Sequence, residues 1–136
     1  MPAPAPENWI DNPATPGDWR YIQGAGESRA EFSEPGAEPR FIIRCNIAQR
    51  RIGLARAGAA QGAVPMRILT ETGERVLTVA PLPGNTPLLA NAVPAGDPML
   101  DAIAYSRGRF AVEVPGLQTL YLPSWPEITR VIEDCR

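Results

Sequence analysis

The sequence predicts a mainly β chain, an antiparallel β-sandwich or small barrel of short hairpins with two short helices near the C-terminus. Three observations predict it. Sixteen prolines in 136 residues argue against a helical bundle, because proline removes a backbone donor and clashes inside a helix. Short runs alternate apolar and polar residues with a period of two, the spacing of a half-buried strand. Turn-forming residues separate neighbouring runs at sandwich or barrel spacing. The length and the 44% hydrophobic content suit one domain with a real core.

Residues 1–17 are rich in Pro and Ala and read as a flexible N-terminal arm; residues 18–136 read as a single β-rich domain. On the arm, Trp9 and Ile10 either dock on the body or form a small exposed sticky site. Met1 followed by Pro-Ala-Pro-Ala-Pro reads as an initiator methionine on a mature N-terminus, from which a signal or lipoprotein segment is expected to have been removed. Residues 18–23 and 28–33 are candidate strands around Gly24-Ala25-Gly26. That glycine pair lacks the third glycine and the following helix of a dinucleotide fingerprint.

Phe41, Ile43 and Cys45 alternate on the next strand, and Ile52 and Leu54 on its partner. A loop over 46–49 would set Ile43 opposite Ile52 and Phe41 opposite Leu54, with every apolar residue on one face. A two-residue Gly73-Glu74 turn would pair Thr70 with Leu77 and Ile68 with Val79. Residues 58–64 and 81–87 read as loops, and 88–93 as one more strand. Further on, Asp97-Pro98 is an N-cap followed by proline at the first helical position. Leu100, Ile103 and Ala104 share a face of that helix, and Gly108 stands where a left-handed cap would end it. The strands on either side of Pro115-Gly116 are predicted to close through a loop of three, pairing Val112 with Leu120 and Phe110 with Leu122. Ser124 with Glu127 is a capping-box pattern ahead of an apolar stripe, Ile128, Val131, Ile132 and Cys135. About eight or nine strands result.

The charge of -2 predicts no strong pull toward nucleic acid or anionic lipid. All 13 basic residues are arginine, and histidine is absent, which removes the commonest general base and metal ligand. No run approaches the ~18 apolar residues of a membrane span. Cys45 and Cys135 both fall on inward faces. They read either as a disulfide closing a loop of about 90 residues, worth about 4 to 5 kcal/mol in the chain-entropy model, or as two separate buried thiols. A disulfide implies an oxidising compartment.

A strand cysteine, then Asp-x-x-Leu opening a short helix that ends near a glycine, then two strands and a last helix bearing a cysteine: carried here by Cys45, Asp97, Leu100, Gly108 and Cys135, this order resembles the small alphaproteobacterial envelope proteins of the invasion-associated locus B type. The resemblance covers about the last 90 residues. It implies a periplasmic or secreted β-rich module with a binding role and no catalytic residues to carry over.

Catalytic constellations are hard to build from these residues. Ser28, Ser33, Ser106 and Ser124 have no histidine or lysine to activate them. Asp97 and Asp101 could share a proton or a metal at their helical spacing, but an N-cap and a favourable first-turn carboxylate explain them more simply. No metal or cofactor is expected. Arginine is the remaining polar feature. The expected register sets Arg44 directly opposite Arg51, with Arg40 further along the same outward face. Like charges directly opposed destabilise a sheet, so either a carboxylate from the acidic 27–38 segment offsets them, or Arg40, Arg44 and Arg51 form an anion-recognising strip. Arg107 and Arg109 are a lesser candidate. The expected function is a non-catalytic exported module that binds another protein or envelope component. The alternative is a small-ligand carrier that uses a barrel cavity.

Overall fold

The computed structural model describes residues 6–136, with side chains from residue 9 onward. Nine antiparallel strands run β1 (Asp18–Gly24), β2 (Glu27–Ser33), β3 (Phe41–Asn46), β4 (Arg51–Ala57), β5 (Val64–Thr70), β6 (Gly73–Leu82), β7 (Leu88–Pro94), β8 (Arg109–Glu113) and β9 (Leu120–Pro123). Two helices, α1 (Pro98–Ala104) and α2 (Pro126–Cys135), flank the last hairpin. The spatial order is β1-β2-β3-β4-β7-β6-β5-β8-β9. Its ends β1 and β9 do not pair, so the sheet is curled and open and the closed-barrel alternative is set aside. β6 makes the bend: its first part pairs with β5 and its last three residues with β7.

Period-two alternation puts one large apolar side chain after another on the concave face. Phe32, Phe41, Ile43, Ile52, Leu54, Met66, Ile68, Leu89, Phe110 and Leu122 are all fully buried. Phe41 and Phe110, from the two halves of the sheet, meet edge to face at 6.2 Å between centroids, so both halves share one core. α2 lays Ile128, Val131, Ile132 and Cys135 on this core, the stripe that its i, i+3, i+4, i+7 spacing predicts. α1 adds Met99, Leu100 and Ile103. Cys45 and Cys135 are bonded to each other, with their Cα atoms 5.6 Å apart. The last helix is thereby tied to β3 across 90 positions of chain.

Several local expectations are corrected. In the β3–β4 hairpin Ile43 faces Leu54 and Cys45 faces Ile52, two residues away from the expected register. Asn46 stays in the strand and its Oδ1 accepts the Gln49 amide at 3.2 Å; Arg50 takes φ +52. This Asx-type turn moves the loop to 47–50. A slip of two residues preserves which side chains face the core, so burial does not oppose it. In the β5–β6 hairpin Thr70 pairs with Gly73 and Ile68 with Arg75. The turn is Glu71-Thr72, held by the Glu71 amide donating to Ser106 Oγ at 2.9 Å. Gly73 follows it at φ +150, a conformation that residues with a Cβ rarely adopt. Strand β6 continues through Pro81 and Leu82, so the expected 81–87 loop is shorter.

Ser124 is not a cap. Trp125 is the N-cap of α2 and makes no side-chain cap bond, while Ser124 Oγ donates to Ile103 O at 2.9 Å and so ties the end of α1 to the start of α2. Gly108 has φ +78 but lies beyond the helix end, where Tyr105 is the C-cap. The expected N-cap Asp97 is present, accepting the Met99 amide at 2.8 Å, and the β8–β9 pairing of Val112 with Leu120 and Phe110 with Leu122 is as expected.

The first part of the arm lies outside the described residues. Pro6–Asp11 forms a 3-10 turn, with Trp9 half-buried and Ile10 exposed. Residues 12–15 then bond to β9: Asn12 Nδ2 donates to Tyr121 Oη at 2.8 Å, the Thr15 amide donates to Tyr121 O at 3.0 Å, and the Tyr121 amide returns a bond to Thr15 Oγ1 at 2.8 Å. This stretch covers part of an otherwise open strand edge. Trp19 Nε1 reaches from β1 to Pro123 O of β9 at 2.7 Å, bridging the seam.

Candidate functional site

Alternation that sends Ser28, Ala30 and Phe32 inward sends Glu27, Arg29 and Glu31 outward from β2. The same rule puts Ile42 and Arg44 on the outer face of β3 and Arg51, Gly53 and Ala55 on that of β4. The registers then decide who meets whom. Arg44 faces Gly53, not Arg51, and Arg51 donates through Nη2 to Ala92 O of β7 at 2.9 Å. The directly opposed like charges are instead Arg29 and Arg44. Glu27 offsets them: its Oε2 accepts Arg29 Nη1 at 2.6 Å and its Oε1 pairs with Arg44 Nε at 2.7 Å. Glu31 accepts Arg29 Nε at 2.6 Å. The bond from Glu31, outweighing the opposing effect of burial, leaves the Arg29 guanidinium above its ordinary pKa.

The expected arginine strip is therefore divided. Arg44 belongs to the β2–β3 ladder, Arg51 sits against β7, and Arg40 lies 3.6 Å from Glu34 beside a different cleft, with Asn12, Thr15, Gln118 and Tyr121. For Arg40 and Arg44 a carboxylate from the 27–38 segment supplies the offset. Missing from the expectation were Glu27, Arg29 and Glu31. Their signal was the sequence Glu-x-Arg-x-Glu within one strand, which alternation places on one face as a charge ladder.

Next to this ladder the outer face dips. Ala55 pairs with Ile42 on one side and Ala90 on the other, and Gly53 pairs with Arg44 and Ala92. The small side chains on neighbouring strands form a floor. Ile42 and Arg44 rise at one wall, Leu82 and Leu88 at the other, enclosing about 260 Å³. Leu82, on that second wall, is 47% exposed. The Arg44 side chain is 59% exposed and pairs with Glu27 through Nε alone, so the end of its fork is left free of a carboxylate at the groove's rim.

Other candidate chemistry is occupied by structure. Asp97 takes both Nη atoms of Arg75 at 2.9 Å, and Asp101 takes Arg136 Nη1 at 2.9 Å, so the two carboxylates are separately neutralised. The Arg75 hydrogen bond, outweighing burial, holds the Asp97 carboxyl below the usual range. Ser106 Oγ donates to Arg109 O at 2.7 Å. Arg107 pairs with Glu71 at 3.5 Å and Arg109 donates to Asn12 O. Among the described residues, no three His, Cys, Asp or Glu side chains cluster as a metal site, and no helix is long and apolar enough to cross a membrane. No family, curated protein or solved structure was found to match this chain.

Proposed function

We propose that this chain is an exported, non-catalytic binding module that docks on a protein of the bacterial envelope through the groove on the outer face of β3, β4 and β7. The observation that carries the proposal is the juxtaposition of an apolar floor (Gly53, Ala55, Ala90) with the free end of Arg44. A groove of about 260 Å³ is below the ~300–1,000 Å³ of small-molecule sites and suits one inserted apolar side chain. Arg44 would take a carboxylate beside that side chain, giving register more than affinity. The preferred partner segment thus carries an aliphatic residue next to Asp or Glu.

Export is supported by the Cys45–Cys135 bond, since such bonds persist in oxidising compartments, and by the resemblance to the locus B type. The carrier alternative requires a lined internal cavity. The concave face is instead filled by Phe32, Phe41, Leu54, Phe110 and Leu122, which favours the docking reading.

The test is site-specific photocrosslinking in the native cells, from a benzoylphenylalanine at position 90 with a control at position 76 on the other half of the sheet. A discrete adduct from position 90, reduced by Arg44→Glu and absent from position 76, is expected. The same adducts from both positions, or none from position 90 in folded protein, would refute the groove as the docking site.

A further inference from the structure

One inward-facing residue is at odds with the apolar core. Arg56 follows Ile52 and Leu54 on the concave face of β4, between Phe41 of β3 and Leu89 of β7. It is 6% exposed. Its Nε donates to Ala57 O at 3.0 Å, whereas Nη1 is buried with no hydrogen-bond partner. Among the described residues none of the ion pairs includes it. The residue next to its cross-strand partner is a second arginine. Arg40 O accepts the Ala57 amide at 2.9 Å, and the Arg40 side chain has its carboxylate partner, Glu34, only at 3.6 Å.

Leaving an ion buried and unpaired is strongly destabilising, and an orphaned buried donor in a native fold calls for an explanation, a bound water or ion being one. The charge is also difficult to discharge. Burial, and secondarily the Arg40 charge, pushes the Arg56 guanidinium below its ordinary value, but arginine stays protonated at physiological pH. Of the two guanidiniums at this end of the sheet Arg40 pairs with Glu34, so the one carboxylate is already engaged and the Arg56 charge is left without a counter-ion. A planar guanidinium presents parallel donors suited to an oxyanion.

We propose that Arg56, with Arg40, binds a small oxyanion at the Phe41 end of β3, the end opposite the Cys45 tie to α2. The site is separate from the outer-face groove, and either proposal can fail without the other. Phosphate and small carboxylates share the chemistry required.

The test is thermal unfolding of wild type, Arg56→Met and Arg40→Gln in a weakly coordinating buffer, titrated with inorganic phosphate or, separately, succinate, at ionic strength held constant with chloride. Expected is a saturable rise in wild-type melting temperature with at least one of the two anions. The rise should be absent in Arg56→Met and reduced in Arg40→Gln, whose half-buried side chain lies outside the core. The anion giving the larger shift distinguishes phosphate from carboxylate as the ligand. Without either anion, Arg56→Met should melt at or above wild type, because the uncompensated charge is gone. No saturable shift in wild type, an equal shift in Arg40→Gln, or Arg56→Met melting below wild type with no anion dependence in either would overturn the proposal and leave Arg56 a structural residue.

Discussion

Replacing both cysteines, Cys45→Ala with Cys135→Ala, removes the disulfide that ties α2 to β3. The closed loop spans 90 positions. In the chain-entropy treatment a loop of that size restricts the unfolded chain by about 15 cal/mol/K, or about 4.6 kcal/mol at 25 °C. A chain of 136 residues unfolds with an entropy of about 2.1 cal/mol/K per residue, so each kcal/mol moves the melting temperature by about 3.5 °C. The drop should be about 16 °C, followed by circular dichroism for the double variant and for wild type with reductant. The alanines add a local loss, since both sulfurs are buried; reduced wild type lacks that loss and isolates the effect of the tie. α2 itself should remain docked through Ile128, Val131 and Ile132. A fall of less than about 1 kcal/mol in reduced wild type would refute the reasoning, by showing that the reduced unfolded state is already restricted or that the tie strains the native fold.

Asp97→Ala removes both the N-cap of α1 and the partner of Arg75 and should cost about 1–2 kcal/mol in chemical denaturation. Because the Asp97 pKa is lowered in the folded state by the Arg75 bond, its contribution is complete above the ordinary carboxylate value of about 3.9 and is lost as pH falls through the lower folded value. Wild type should therefore lose stability more steeply than Asp97→Ala below about pH 4; parallel curves would remove the pair from the account. Ser124→Ala leaves the buried Ile103 carbonyl without its side-chain donor and should cost about 1 kcal/mol, a loss that Ser124→Thr tests by keeping the hydroxyl. At Gly17, φ is +138 and an added Cβ would lie 2.8 Å from the Phe32 ring and 2.9 Å from Ser33 O. Gly17→Ala should lower stability by at least about 1–3 kcal/mol; an unchanged melt would show that the entry into β1 is free to shift.

The architecture was legible in the sequence because the concave core demands period-two alternation and little else. That demand sets which residues face inward, and Ile43, Ile52, Leu54, Ile68 and Leu122 all do so. It sets register only modulo two, so slips of two or four residues go unopposed. Where the loop chemistry was local, as at Pro115-Gly116, the pairing of Val112 with Leu120 could be read to the residue. At the other two hairpins the deciding bonds were the Gln49 amide donating to Asn46 Oδ1 and the Glu71 amide donating to the distant Ser106 Oγ. The second of these joins residues 35 positions apart, beyond any turn rule. Ser124 was misread for a related reason: a capping box and a tertiary bond to Ile103 use the same hydroxyl, and only the folded contact selects between them. The arginine strip failed with the register on which it rested. The ladder that replaced it was visible as Glu27, Arg29 and Glu31 in one strand, and inward Arg56 was implied by Ile52 and Leu54 four and two positions before it. The groove had no sequence signature, because Gly53, Ala55 and Ala90 come together only through the β4–β7 pairing.

The central claim is that the molecule works as an exported module held by the Cys45–Cys135 bond, and the most direct measurement is made on protein in its native cells. Cells are quenched in acid to halt thiol exchange, free thiols are then alkylated in denaturant at neutral pH, and the purified chain is weighed by mass spectrometry before and after reduction and a second, heavier label. The account predicts that neither cysteine carries the first label and that both carry the second. Both cysteines carrying the first label would contradict export and, with it, an envelope partner for the groove.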